Sequence, residues 1–505
     1  MSGAISFTQI PANARVPLFH VEFDASRAGI AQPTPRALLI GITLVSQPAT
    51  PVFVPSLAWA AAAFGIASPL YAMVAAYRQN DPIGELWALP VAANGSGVQA
   101  TGTLTFTGTA TASGTLAVYI GGQVLYVPIA AGDTATVVAA SLLAAATALS
   151  PATLPVAVTT APIVSPGVVT FTANAKGLYG NFIDVRLNYA GSTAGESLPA
   201  GLSATIVAMA SGTLDPVLTT PLGTLGDQPF DYIVQPFLSS TATTAMSLVM
   251  NNTTGRWSDI GQAYGHVFAA STDTLANLVS LGGTLNDPHL SIFGLPKSPS
   301  PPYVIAAAAT GALVQAINND PARPVQTLPV AGVLSPAGAD RLTNANRQQL
   351  LTNGIATIFA SQIGALSLER AVTTYRTDGS GNPSIAYLDA ETPLTLMKLT
   401  RDLKAFVGST FGRCKIADNG ATAGPGSAIQ TPNSIKAALV ARYRFLERQG
   451  LVERTDLFAA GLVVQRNAND PTRVDVLYDP YLVSGLRIFA TMNQFRLGGG
   501  AANAA

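Results

Sequence analysis

Residues 37–42 read Ala-Leu-Leu-Ile-Gly-Ile, an apolar run without a charged or polar side chain. Such a run is typical of a strand that is buried on both faces of a parallel sheet. Further along the chain, similar short apolar segments alternate with helical segments. The strand candidates are Gly84–Pro90, Tyr232–Val234, His266–Ala270, His289–Gly294 and Thr327–Val330. The helix candidates are Ser68–Arg78, Ala242–Asn251, Thr274–Leu281 and Tyr303–Ile317. The alternation predicts an open α/β layer with a largely parallel sheet.

A change of composition marks a second unit. Residues 86–183 hold only two charged residues, Asp133 and Lys176, and are rich in Thr, Gly, Ala and Val. Gly121-Gly122 separates the apolar runs Leu116–Ile120 and Val124–Val127, which is the signal of a β-hairpin with a tight turn. An Ala-rich helix is expected at Thr134–Leu149. We therefore interpret residues 94–186 as an inserted, mostly-β domain.

Charged residues return from Asp340 onwards, where 18 of the 27 basic residues lie. Two amphipathic helices are predicted here, Pro393–Val407 and Pro432–Arg448, the second with Thr431 as its N-cap. Leu462–Gln465, Val474–Tyr478 and Leu486–Phe495 are strand-like. The whole chain is thus predicted to be multidomain, of the α/β and α+β classes. The predicted divisions are an extended N-terminal segment (1–30), an open α/β domain (31–93 and 187–339), the insert (94–186), an α+β C-terminal domain (340–485) and a C-terminal strand with a flexible tail (486–505).

The composition disfavours several classes of protein. Of the 505 residues 48% are hydrophobic and 11% charged, and the formal net charge is zero. A nucleic-acid binder usually has a basic excess, and a disordered chain has low hydrophobicity and high net charge. Residues 37–77 carry no charge, but four prolines interrupt the stretch and basic flanks are missing, so no membrane span is expected. No signal peptide is recognised, and Cys414 is the only cysteine.

No catalytic constellation is evident in the sequence. His20, His266 and His289 lack the spacing of a metal site, and neither a Gly-x-Ser-x-Gly elbow nor a phosphate-binding loop is present. We expect no catalytic residue, no metal and no cofactor, and we do not expect an enzyme.

A series of short motifs in the same order resembles the contractile tail sheath proteins of Mu-like bacteriophages. The motifs are Phe230–Val234 (FDYIV), Asp320–Pro324 (DPARP), Ala371–Tyr375 (AVTTY), Tyr387–Thr392 (YLDAET), Thr431–Lys436 (TPNSIK), Arg466–Val476 (RNANDPTRVDV) and Leu486–Ala490 (LRIFA). The resemblance implies a structural subunit that polymerises as stacked hexameric rings around the tail tube. Contraction of this sheath would drive the tube through the host envelope. The implied partners are copies of the chain, the tail tube protein, and baseplate and tail terminator proteins. The implied location is the virion tail, after assembly in the bacterial host cytoplasm.

The resemblance also implies that the N-terminal segment (1–30) and the C-terminal segment (486–505, with its flexible tail) are arms that add strands to the sheets of adjacent subunits. The candidate arm residues are Val16, Leu18, Phe19, Val21 and Phe23 near the N-terminus, and Leu486, Ile488, Phe489, Met492 and Phe495 near the C-terminus. Their alternative role is that of ordinary edge strands. For contact with the tube we expect basic residues of the two C-terminal helices, whose alternative role is a solvated helix face. These candidates are Lys398, Arg401, Lys404, Lys436 and Arg444.

Two other classes of protein stay open at this point. A β-rich surface-layer or adhesin-like protein fits the Thr/Gly/Ala-rich insert, although the missing signal peptide counts against it. An α/β enzyme with an unrecognised site is the second alternative, and the scarcity of His, Cys and paired carboxylates counts against it.

Overall fold

The computed structural model describes residues 35–149, 152–160, 167–421, 424 and 427–495. The strands are β1 (Arg36–Ile42), β2 (Val52–Phe53), β3 (Glu85–Val91), β4 (Thr101–Gly108), β5 (Gly114–Ile120), β6 (Gln123–Ile129), β7 (Val156–Thr160), β8 (Val168–Ala173), β9 (Val185–Leu187), β10 (Leu202–Ala210), β11 (Tyr232–Val234), β12 (His266–Ser271), β13 (Leu290–Gly294), β14 (Ala356–Ala360), β15 (Leu366–Arg370), β16 (Lys415–Ile416), β17 (Ile429–Gln430), β18 (Val452–Glu453), β19 (Val463–Arg466), β20 (Val474–Leu477) and β21 (Tyr481–Leu482). The helices are α1 (Leu57–Phe64), α2 (Pro69–Asn80), α3 (Ala135–Thr147), α4 (Thr219–Gly223), α5 (Ser240–Met250), α6 (Leu275–Thr284), α7 (Pro302–Asn319), α8 (Asn344–Thr352), α9 (Glu391–Phe411), α10 (Pro432–Arg448) and α11 (Thr455–Gly461). The mixed α/β character of the chain is confirmed.

The main sheet has the strand order β15-β14-β13-β12-β11-β1-β3-β2. The strands from β14 to β3 run parallel, and the two edge strands, β2 and β15, run antiparallel to their neighbours. The apolar run of residues 37–42 forms β1 near the middle of this sheet, where Leu38, Leu39 and Ile40 are fully buried. The helices α2 and α7 pack against each other and cover β1, β11, β12 and β13. The predicted parallel layer is therefore present.

The segment Thr327–Val330, which we predicted as a strand, is irregular. Thr327 has a positive φ of 69°, which interrupts an extended backbone, although residues 327, 328 and 330 form backbone hydrogen bonds with β15 and Pro329 forms an isolated bridge with Ser367. The sheet is continued instead by β14 and β15, which lie beyond residue 340. The predicted start of a separate C-terminal domain at residue 340 is therefore too early.

The insert contains two antiparallel sheets, with the strand orders β10-β4-β8-β7 and β6-β5-β9. The predicted hairpin is present as β5 and β6, and its turn residues Gly121 and Gly122 both have positive φ. Strand β10 pairs with β4, and Val98 bridges Thr213, so this unit extends past the predicted end at residue 186. Composition placed the boundary too early because charged residues reappear at Asp184 and Arg186 before the strands of the insert are complete.

The C-terminal region has a small core of its own. Leu399 of α9, Leu439 and Tyr443 of α10, and Phe458 of α11 are buried together, and Tyr443 stacks on Phe458 with 3.7 Å between ring centroids. The predicted start of α10 is correct, because the Thr431 hydroxyl accepts a hydrogen bond from the Ser434 backbone N–H and Pro432 occupies the first turn. In the ranges that the structure covers, none of the helices has the length and apolar character needed to cross a bilayer.

Candidate assembly surfaces

The C-terminal segment leaves the subunit from a well-anchored base. Strand β21 pairs with β18, and the next residue, Val483, donates a backbone hydrogen bond to the Leu451 carbonyl. The Gln326 side chain donates to the Leu486 carbonyl at 3.2 Å. The Arg487 guanidinium lies 2.8 Å from Glu391 Oε1 and 3.6 Å from Asp389 Oδ1. The chain is therefore fixed on the body up to residue 487.

After this base, the segment exposes its apolar side chains. Ile488, Phe489, Met492 and Phe495 are 77–85% exposed, and Leu486 is 68% exposed. We predicted a strand over Leu486–Phe495, and in the described part of the chain this segment forms none. Exposed apolar side chains beside unpaired backbone are unfavourable in water and suit pairing with another chain. The N-terminal candidates, from Val16 to Phe23, lie outside the described residues.

The five basic candidates are not equivalent in the structure. Lys404 of α9 and Arg444 of α10 are exposed, whereas Lys398 and Lys436 are half-buried. Lys398 also lines a cleft of about 770 Å³ between α9, α10 and the end of α7, which Arg401 shares. The tube-binding role of these residues stays a prediction.

Arg401 corrects the expectation of a free basic face on α9. Its side chain is only 18% exposed and forms an ion pair with Asp231, which is 2% exposed at the start of β11. Arg401 also donates a hydrogen bond to the Ala263 carbonyl oxygen at 3.2 Å. The second carboxylate oxygen of Asp231 accepts a hydrogen bond from the Arg36 backbone N–H at 2.7 Å. The charge of Arg401 is thus engaged within the subunit.

Sequence reasoning missed the acidic partners of these helices. Asp402, next to Arg401, is buried and accepts a hydrogen bond from Arg442 Nε of α10 at 2.8 Å. Glu391 is the first residue of α9. Its carboxylate accepts a hydrogen bond from the Val325 backbone N–H and forms an ion pair with Arg487. Asp231 and Glu391 stand inside the motifs FDYIV and YLDAET, which is the only sequence signal that marked them.

The two histidines in the described residues have structural surroundings. His289 Nε2 lies 2.9 Å from Asn252 Oδ1, and its ring stacks on Trp257. Burial lowers the pKa of His289 to about 4, and burial also lowers the pKa of His266, which bonds to the Ser291 hydroxyl. Among the described residues no group of three or more His, Cys, Asp or Glu side chains is placed to hold a metal ion.

A cavity of about 290 Å³ lies at the carboxyl ends of β11 and β12, where open α/β sheets commonly bind ligands. Its lining is mixed, with the aromatic rings of Tyr179, Phe237 and Tyr303 among aliphatic and polar side chains, and it includes the half-buried acid Asp215. Burial raises the pKa of Asp215. The described lining includes no His, Cys or Lys.

Comparison with known proteins gave matches along most of the chain. The model of the phage tail sheath protein central domain matches residues 216–374, and that of the phage tail sheath C-terminal domain matches residues 383–496. The Mu-like prophage FluMu tail sheath protein of Haemophilus influenzae is 36% identical over 499 residues, which cover 98% of this chain and 100% of the relative.

Comparison with solved structures also gave matches. The sheath tail protein of Desulfitobacterium hafniense has 11% identity and a TM-score of 0.47, with 94% of this chain and 97% of that chain covered. The helical sheath of the anti-feeding prophage in its contracted state has 13% identity and a TM-score of 0.45, with 96% of this chain and 100% of that chain covered.

Proposed function

The chain belongs to the phage tail sheath protein family, as a structural protein of the virion tail, and we propose that it polymerises into stacked hexameric rings around the tail tube and contracts to drive the tube through the host envelope. Copies of the chain and the tail tube protein are the proposed main partners. Baseplate and terminator proteins would close the two ends, and assembly would take place in the bacterial host cytoplasm.

One observation carries the proposal of a polymer. The segment from Ile488 to Phe495 is rich in exposed apolar side chains, while its base is fixed to the body by β21, Gln326 and Arg487. A strand-length segment of this kind satisfies its backbone by joining a sheet of another subunit, and its alternate side chains then fill pockets there. We propose the same role for Val16, Leu18, Phe19, Val21 and Phe23 at the other end of the chain.

A contractile polymer needs subunits that move as rigid bodies while their connections bend. The proposed division assigns the body to the α/β layer, an outer position to the insert, and the tube side to the helices α9 and α10. The neutral composition supports repacking between subunits, because few surface charges would have to be stripped of water when neighbours change contacts.

Contact with the tube must break when the sheath contracts, so we propose that it is polar and weak. Lys404 and Arg444 are the exposed candidates, and Lys398 and Lys436 support them from half-buried positions. Arg401 is not retained, because it pairs with Asp231. Exposed charge contacts weaken with salt, since counter-ions screen them.

The tube contact is tested with the double variant Lys404→Glu, Arg444→Glu. Binding of the sheath protein to purified tubes should fall strongly at low salt and be weak for both proteins at high salt. Lys176→Glu is the matched control, because Lys176 is exposed on the insert. Binding of the double variant at the level of this control would contradict the assignment.

The arms are tested by truncation. A chain that ends after Arg487 keeps the anchored base, including Leu486, but lacks the exposed apolar residues from Ile488 to Phe495, and a chain that lacks residues 1–24 tests the other end. Each should fold as the full chain does and fail to form long tubes. Tubes of full length from either truncated chain would remove that arm from the proposal.

A further inference from the structure

The most buried ion pairs of the described residues converge on one helix. Among the pairs that the structure records, the three with the least exposed carboxylates involve Asp231 at 2%, Glu391 at 6% and Asp402 at 10%. Each of these pairs has one member on α9. Only 11% of the residues of this chain are charged, so the clustering of its most buried ion pairs on one helix requires a physical reason.

The three pairs join α9 to three different parts of the subunit. Glu391, at the first residue of the helix, faces Arg487 of the C-terminal segment. Arg401 pairs with Asp231 at the start of β11, and Asp402 pairs with Arg442 of α10. Residues 391 and 401 are ten positions apart, which is about 15 Å along a helix. The helix thus connects the base of the arm with the main sheet and with the C-terminal core.

The contact at Arg487 is tightly built. Its side chain is 14% exposed, and Asp389 beside it is held by Arg370 through two bonds of 2.7 and 3.0 Å. Gly485, two residues earlier, lies so close to Pro324 that an added Cβ would stand 2.5 Å from its ring. This close approach requires a glycine, and it leaves residues 483–487 little freedom.

A buried ion pair contributes little net stability compared with apolar residues of similar size, and in some proteins such pairs instead fix the geometry of the parts they join. We propose that α9 is the mechanical link between the C-terminal arm and the subunit body, and that Arg487 is the positioning residue of the arm. A pull by a neighbouring copy on residues 488–495 would then reach β11 through Arg401 and α10 through Asp402. This inference rests on the proposed polymer, because only a neighbouring copy supplies the pull.

Three variants separate positioning from stability. Arg487→Met leaves the buried Glu391 carboxylate with only the Val325 backbone N–H as its recorded partner, Glu391→Gln leaves Arg487 with only the longer contact to Asp389, and the double variant removes both charges. We expect each single variant to have a lower melting temperature than the wild-type protein and the double variant to return to the wild-type value. In all three, however, the arm should lose its fixed position. Arg454→Met is the matched control, since Arg454 is 60% exposed and 3.9 Å from Glu453.

Arm position is measured on the dispersed subunit by the distance between spin labels at Met492→Cys and Thr352→Cys, in a Cys414→Ser background. The distance distribution should widen in the three variants and stay unchanged in the control. In the polymer, an arm without a fixed direction should add to the neighbouring subunit less readily, so we expect a higher critical concentration and loss of regular striation.

An unchanged distance distribution in the double variant, together with normal striation, would overturn the inference. A wild-type chain that forms no tubes would overturn the proposed function instead, while the label measurement still tests the anchor. The two failures are therefore distinguishable.

Discussion

The substitution Arg401→Met removes the charge that faces Asp231 and keeps most of the apolar stem of the side chain. Asp231 is 2% exposed, and in the variant its carboxylate would retain only the hydrogen bond from the Arg36 backbone N–H. The loss of one partner of a buried ion pair costs about 3–5 kcal/mol. The contact of Arg401 with the Tyr264 ring, at 5.8 Å from its centroid, adds about 0.5–1 kcal/mol.

The loss of folding free energy in Arg401→Met is measurable by urea unfolding of the dispersed subunit, with tryptophan fluorescence as the signal. Trp257 is the useful reporter, because it contacts Tyr264 with 5.2 Å between ring centroids. We expect a loss of about 3.5–6 kcal/mol in the free energy of unfolding. The double variant Asp231→Asn, Arg401→Met should regain most of it, because no charge is then left buried.

The control is again Arg454→Met, which breaks only an exposed pair and should change the free energy of unfolding by less than about 0.5 kcal/mol. If Arg401→Met were no more destabilising than this control, α9 would not be held to the sheet by its ion pair. The reasoning on the link between the arm and the body would then fail as well.

Three further predictions concern stability. Burial lowers the pKa of His289 to about 4 from its usual 6.5, so the folded protein holds this side chain neutral. The free energy of unfolding should therefore fall as the pH drops from 6.5 towards 4, by about 2 kcal/mol at pH 5. In urea titrations at several pH values, His289→Gln should flatten this dependence, and an equally steep profile in the variant would exclude His289 as its source. Thr431→Ala removes the N-cap of α10 and should cost about 1 kcal/mol, measured by urea unfolding against Thr400→Ala on the exposed side of α9. Gly282→Ala should lower the free energy of unfolding by about 1–3 kcal/mol although alanine favours helices, because the Cβ of the new alanine would overlap the Asn353 carbonyl oxygen. A higher melting temperature of this variant would contradict the close packing at Gly282.

The parts of the fold that follow from local patterns were predictable. The run at residues 37–42 has no polar atom in its side chains and forms the buried strand β1, and the Thr431-Pro432 pair sets the start of α10. The extent of the insert was not predictable from charge, because β10 belongs to it by pairing with β4 about a hundred residues earlier. Strand pairing over such distances leaves no local periodicity.

For the candidate assembly surfaces, too, local sequence patterns predicted only part of what the structure contains. Exposure of the C-terminal apolar residues agrees with their predicted role as an arm, which stays a proposal. The engagement of Arg401 could not be seen in the sequence, because Asp231 lies 170 residues away. A helical face of basic residues has the same spacing whether its charges meet solvent, a partner or a buried carboxylate, and only the tertiary structure distinguishes these cases.

The most direct test of the central claim is electron microscopy of the purified full-length protein in negative stain. We predict long, striated, hollow tubes with six subunits in each ring. Discrete particles at every concentration, or flat lattices of the kind formed by surface-layer proteins, would contradict the account.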